Sequence, residues 1–243
     1  MKLSLIIIVI IVSISYSKIN AQKIYGSSNG EIILSFSNST YNNFPNIGDT
    51  KKIDAAPRFT IWPHFASIIN VDFNKNFGIF FGISLKNIGI ITKEKSSDIN
   101  TNEDVKWKRR AYALGIPLSI KLGKLENGYY FFAGCQYDWL FHYKEKEFMS
   151  SGKRKSSEWF SNKVNSFVPS IFIGMASPQA YSFKITYSLI DFMNNGYSYS
   201  KSGTLVEPYK NMNSKIIYLS VFMTTRWDKY LESEKQTKKI ASL

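Results

Sequence analysis

From Tyr129 to Tyr143 the chain keeps a strict alternation for fifteen residues. Tyr129, Phe131, Ala133, Cys135, Tyr137, Trp139, Phe141 and Tyr143 hold one parity, against Tyr130, Phe132, Gly134, Gln136, Asp138, Leu140 and His142. Period two puts each set on its own face of an extended strand and is incompatible with a helix. The pattern recurs at Phe77–Ile88, where Phe77, Ile79, Phe81, Ile83 and Leu85 oppose Gly78, Phe80, Gly82, Ser84 and Lys86. It recurs again at Lys108–Leu122, where Tyr112, Leu114, Ile116, Leu118, Ile120 and Leu122 oppose small and polar residues. Strands of this length with one apolar face need a large surface to cover that face.

Weaker versions of the pattern complete a set of eight predicted strands, at 31–41, 57–70, 77–91, 108–122, 129–144, 166–176, 180–192 and 215–227. Short links at Asp72–Asn76, Gly123–Gly128 and Ser177–Gln179 alternate with long polar ones at 42–56, 92–107, 145–165 and 193–214. That rhythm predicts an all-β fold, an eight-stranded antiparallel up-and-down transmembrane β-barrel with short turns at one end and long loops at the other. Eight strands enclose a lumen just wide enough for side chains, which suits Gly78, Gly82, Ala111, Ala113, Gly115 and Gly134. The apolar face is then expected to point outward to lipid. Tyr129, Tyr143, Trp107 and Trp227, near strand ends, are expected to form aromatic girdles. The competing arrangement is a secreted soluble barrel, in which the same apolar face turns inward around an apolar ligand.

The first residues set the compartment. Met1-Lys2 precedes an apolar run from Leu3 to Ile14, followed by a polar stretch ending at Ala21, the three-part pattern of a signal peptide. Residues 1–21 are therefore expected to be removed, leaving a barrel over 22–227 and a polar tail over 228–243. The apolar run is too short to span a bilayer, which takes about 20 residues. A single cysteine, Cys135, excludes an internal disulfide, and with two distant histidines it gives no zinc spacing. The formal charge of +13 is scattered through turns and loops and forms no helical stripe, so no nucleic-acid partner is expected.

The run Ala113-Leu114-Gly115-Ile116-Pro117-Leu118-Ser119-Ile120-Lys121 resembles the IPL…K strand of the Bacteroidota-type outer-membrane β-barrel (porin-like) family. Phe131-Phe132-Ala133-Gly134, Tyr143-Lys144-Glu145-Lys146 and the signal ending Asn20-Ala21-Gln22 are similar as well. The resemblance implies an outer-membrane location and contact with the barrel-insertion machinery and outer-membrane lipid, but no reaction. One departure stands out. Many such barrels end on an aromatic residue, whereas here Trp227 is followed by the charged tail.

Two groups of residues are candidates for function. Lys86, Arg109, Asp138 and Lys184 are expected to meet as a polar network in the lumen. In the 145–165 loop, Lys153, Arg154 and Lys155 beside Trp159 are expected to grip an anionic glycan or lipopolysaccharide. His64 and His142 both fall on the predicted lumen side. They carry the alternative reading of an outer-membrane lipid-modifying enzyme, although no GxSxG elbow or neighbouring acid supports it. The expected role is structural or surface-binding through external loops, with no catalytic, cofactor or metal residues and no enzymatic activity.

Overall fold

A computed structural model describes residues 23–41, 51–95, 104–178, 181–201 and 203–228. The predicted signal, residues 42–50 of the first predicted long link and the tail beyond Asp228 lie outside the described residues. Eight long strands form the body: β1 (Lys23–Ser37), β2 (Phe65–Asp72), β3 (Phe77–Lys95), β4 (Asp104–Lys124), β5 (Tyr129–Met149), β6 (Phe167–Ala176), β7 (Tyr181–Ser188) and β8 (Ile216–Arg226). Each pairs antiparallel with its neighbours in the chain. β1 pairs β8 from Ser27↔Arg226 to Ser37↔Ile216, which closes the ring. The fold is an eight-stranded antiparallel up-and-down β-barrel.

The alternation sorts side chains as hydrophobic physics requires. Ile116 and Leu118 on β4, Phe131 on β5, Ile173 on β6 and Phe183 on β7 all point outward and are exposed, Phe131 by 67%. The lumen is polar. Lys86, Lys121, Asp138, Gln136 and a series of serines are buried there. The long apolar faces thus turn outward, not inward as the soluble alternative requires. No helix among the described residues is long and apolar enough to cross a membrane.

Three differences from the sequence expectation matter. β1 starts at Lys23, well before residue 31, because its first half (KIYGSSNG) is too polar to show alternation. The second predicted strand is broken. Arg58–Thr60 pairs β1 alone, Asp54–Ala56 pairs β3, and the ladder resumes only at Phe65. Pro63 stands in the gap and cannot donate to a ladder. Finally, β3, β4 and β5 run past the barrel rim into what was expected to be loop. β5 turns at Ser150-Ser151 into a further strand, Gly152–Trp159. The 145–165 loop is therefore largely a β-hairpin, and four strands project beyond the barrel as a sheet.

Inside, the lumen is filled in layers. Phe80, Phe132, Phe172 and Phe222 pack together, with Phe80 and Phe132 centroids 5.7 Å apart. Next comes an ionic layer. Lys86 Nζ lies 3.2 Å from Asp138 Oδ2 and donates to Tyr218 at 3.1 Å, with both charged residues 1% exposed. Gln136 donates to Asp138 at 2.6 Å. Gly115 makes this possible, since a Cβ there would lie 2.2 Å from Asp138 Oδ1. Above it, loop residues Ile53, Val164, Phe192, Met193, Tyr209 and Met212 pack onto Ile33, Ile88, Ile90 and Ile216 and cap the mouth. Removing one member of a buried pair leaves an uncompensated charge. Asp138→Asn or Lys86→Met is expected to cost about 3–5 kcal/mol, and Lys86→Met with Asp138→Leu to recover most of it. Urea unfolding in lipid vesicles, followed by tryptophan fluorescence, measures both.

Candidate functional site

The projecting sheet owes its character to one irregularity in β5. Ala113 pairs with Leu140 but Tyr112 pairs with His142, so Phe141 is an extra residue, a β-bulge. Below it, even-numbered residues of β5 face the lumen; above it, they face out. Tyr143 is consequently buried inside, at 1% exposure, and His142 is turned outward. This corrects the expectation that His142 lines the lumen and that Tyr143 belongs to a girdle. Trp107 also faces inward, over Arg109. Tyr129 and Trp227 are exposed at the short-turn end, as expected. The girdle at the loop end is made instead by Trp139, Phe141, Trp159 and Phe160, whose neighbouring rings stand about 6 Å apart.

Above that girdle the outer face forms rows across β3, β4, β5 and the hairpin strand. Asn87, Tyr112, His142 and Trp159 make the first row, and Gly89, Arg110, Lys144 and Ser157 the second. Ile91, Lys108, Lys146 and Lys155 make the third, and Lys93, Lys106, Phe148 and Lys153 the fourth. Cations thus stand directly opposite cations, and no carboxylate occupies the rows across these four strands. Asp54 stands opposite Lys93 in register from the far side of β3, and Asp104 stands opposite Lys95 in the row beyond the fourth. Like charges opposed across strands are destabilising. Among the described residues, no carboxylate forms an ion pair with Lys108, Arg110, Lys144, Lys146, Lys153 or Lys155. Several of these cations lie over rings instead, with Lys108 and Lys153 about 5 Å from the Phe148 centroid and Lys144 at 5.3 Å from that of Tyr112. Crowding is felt most at Lys146, whose ammonium is pushed below the usual lysine range, chiefly by Arg110 and then by burial, Lys153, Lys155 and Lys108.

The opposite face of the same sheet is compensated. Lys163 reaches Glu158 at 2.7 Å and Glu145 at 3.2 Å, and Arg154 reaches Glu147 at 3.0 Å. Burial opposes the Lys163 charge, but the two acids outweigh it and hold the ammonium protonated above the usual lysine range.

The predicted site residues divide accordingly. Lys153, Lys155 and Trp159 share the cationic face, while Arg154, one position out of phase, lies on the paired face. Of the lumen set, Lys86 and Asp138 are brought together, Lys184 pairs with Glu31 at 2.9 Å, and Arg109 bonds Thr92 at 2.9 Å near the mouth. Lys106, Lys108, Arg110 and Lys144 escape a reading of the sequence alone. They alternate with Trp107, Arg109, Glu145 and Glu147, so charge shows on both parities and only the bulge separates them. Glu31, Lys121 and Asp72 escape it as well. Lys121 is bonded to Asp72 and Asn70 in the lower lumen.

His64 is buried at the break in the wall, where its Nδ1 accepts from the Asn87 N–H at 3.4 Å. His142 stacks on Trp159 with centroids 4.2 Å apart, and its Nε2 lies 2.8 Å from Ser157 Oγ. Burial and the neighbouring Lys144 and Arg110 hold its imidazole below the usual histidine range. No three-residue His, Cys, Asp or Glu group suited to a metal occurs among the described residues.

No protein-family profile matches the chain, and no curated protein matches it. Among solved structures it is similar to Ail, the attachment invasion locus protein of Yersinia pestis, in complex with the heparin analogue sucrose octasulfate. The identity is 12% over 84% of this chain and 99% of that one, with a TM-score of 0.37. A second structure of Ail aligns over the same shares at 12% identity and a TM-score of 0.31.

The depressed Lys146 ammonium carries a chemical consequence, because the neutral amine is the nucleophile. Lys146 is expected to be acylated by an amine-reactive reagent at mildly alkaline pH faster in the native barrel than in the Arg110→Gln variant. Peptide mass spectrometry of time-quenched samples reads the difference.

Proposed function

We propose that the chain is an outer-membrane barrel, non-enzymatic, that uses the outer face of its projecting sheet to hold phosphorylated or sulfated glycan. The observation that carries this reading is the set of cation-opposite-cation rows with no acid among them. A sheet accepts such repulsion without loss when an external polyanion neutralises it, and the exposed Trp159 in the row beneath offers apolar surface to sugar rings.

Membrane placement is supported by the outer wall. Apolar side chains cover it on every long strand, and a closed barrel leaves no unpaired strand edge for hydrocarbon to meet. The cationic rows continue the same outward parity upward, from Leu114 through Tyr112 to Arg110 and Lys108, and so stand at headgroup and sugar level. The likeness of Ala113–Lys121 to the Bacteroidota-type barrels belongs to this proposal and agrees with the wall. The enzymatic alternative has less support. The His64 Nδ1 is engaged by backbone, and the His142–Ser157 contact has no carboxylate to orient the imidazole among the described residues.

The protein should fractionate with the outer membrane and migrate differently boiled and unboiled in detergent; recovery in the soluble periplasm would overturn the placement. The Lys108→Gln, Lys146→Gln, Lys155→Gln triple variant should bind a sulfated polysaccharide on the order of tenfold more weakly in a salt-dependent manner. Because the folded His142 titrates below the usual histidine range, it is neutral at pH 7 and charges only in more acidic buffer. Polysaccharide binding should therefore strengthen as pH falls below that range, and His142→Gln should abolish the increase.

A further inference from the structure

The break in the barrel wall holds a second, more specific feature. Where the ladder lapses between Thr60 and Phe65, β3 has no β2 neighbour at Asn87, and side chains take over. Arg58 donates through Nη1 to the Asn87 carbonyl at 3.0 Å and through Nη2 to Asn87 Oδ1 at 2.6 Å. Arg58 is only 8% exposed, and both its acceptors are neutral. No carboxylate among the described residues pairs with it. A buried guanidinium without a counter-ion is costly unless something outside supplies one.

A cleft of about 230 Å³ opens on this group, lined by Arg58, Lys108, Arg110 and Lys146 together with Phe59 and Trp62. The two halves of that lining ask for different chemistry. Four cations converging on one small volume suit a phosphate, with the guanidinium groups able to donate in pairs. The apolar half does not suit a free anion. Phe59 and Trp62 are 62% and 69% exposed, Ile61 between them, outside the lining itself, is 60% exposed, and Trp62 packs edge-on against Phe65 at 4.7 Å. Phe65 in turn pairs with Leu85 on the apolar outer wall, so this patch is continuous with the surface that faces acyl chains.

We infer that the cleft binds the phosphorylated headgroup of a membrane lipid, with Arg58, Arg110, Lys108 and Lys146 on the phosphate and Phe59, Ile61 and Trp62 against its chain. The inference rests on the reading of this wall as membrane-facing and deepens it. The cleft is the foot of the cationic face, and a lipid seated there anchors the inner end of that face. A polymeric glycan would have no use for the apolar half, and inorganic phosphate would gain nothing from it.

The test uses the full folded protein in mild detergent, with phosphatidic acid as the probe. Diacylglycerol of the same chains and inorganic phosphate serve as the two half-ligands. Native mass spectrometry should show phosphatidic acid retained by the wild type, with neither half-ligand competing at equal concentration. Arg110→Gln, and separately Phe59→Ser with Trp62→Ser, should each lower retention roughly tenfold. Arg58→Gln should do so too, its folding checked by the boiled and unboiled mobility. Since that variant opens the wall and can fail to fold, the half-buried Arg110, which closes no gap in the ladder, carries the decision. Lys153→Gln with Lys155→Gln should weaken the sulfated polymer yet leave the lipid bound, which separates failure here from failure of the glycan reading. Retention unchanged in Arg110→Gln would overturn the inference. So would displacement by inorganic phosphate, which marks an anion site alone, or by diacylglycerol, which marks an apolar patch alone.

Discussion

The pairing of β1 with β8 is the constraint on which the other features rest, because an open sheet with so apolar a face could not meet lipid. Two rows of backbone donors and acceptors would stand unpaired beside that face, and hydrocarbon offers them no partner. Ring closure from Ser27↔Arg226 to Ser37↔Ile216 removes both rows at once. It also fixes which parity is inside, and hence that the lumen must house Lys86, Lys121 and Asp138 while the wall carries Leu114, Ile116 and Phe131. The lapse in the ladder at Ile61–His64 shows how strict the requirement is. Where backbone partners fail, Arg58 and His64 supply side-chain ones.

In the lumen the buried lysines meet their complements. Lys86 meets Asp138, Lys184 meets Glu31, and Lys121 meets Asp72. The same rule holds on the inward face of the projecting sheet, where Glu145, Glu147 and Glu158 are all paired. Against that background the outward face is an exception, and the exception is confined to one surface. A molecule that compensates charge in its lumen and leaves Lys108, Arg110, Lys146 and Lys155 opposed to one another presents a surface suited to an external anion.

Much of the barrel could be read in advance, because lipid and lumen impose opposite chemistry on alternate residues. Phe77–Leu85, Tyr112–Leu122 and Tyr129–Leu140 announce themselves in this way, and short and long links set the strand count. What escaped did so for definable reasons. The first half of β1 is Gly- and Ser-rich on both parities. Above the rim both faces of the sheet are charged, so a hydrophobic reading sees no alternation there. Lys153, Lys155 and Trp159 were recognisable as a basic, aromatic cluster, but their separation from Arg154 required the hairpin. The wall cleft was beyond reach, since Arg58 and Lys146 are far apart in sequence and meet only through a broken strand.

The bulge at Phe141 has a wider meaning. Because alternation has period two, the sign of the exposed surface here is stored in how β5 is paired rather than in which residues it contains. Were β5 to run regularly through Phe141, Glu145 and Glu147 would turn outward and Lys144 and Lys146 would turn in. The hairpin strand, tied to β5 by a two-residue turn, would rotate with them. A slip of one residue against β4 would thus trade the cations of β5 and the hairpin strand for a mixed surface, with Glu145, Glu147 and Glu158 beside Lys106, Lys108 and Arg110, and the apolar wall below left as it was. Loss of the Phe141 codon would have the opposite effect: the ladder would become regular with its present faces kept, and the alternative pairing would no longer be open to it.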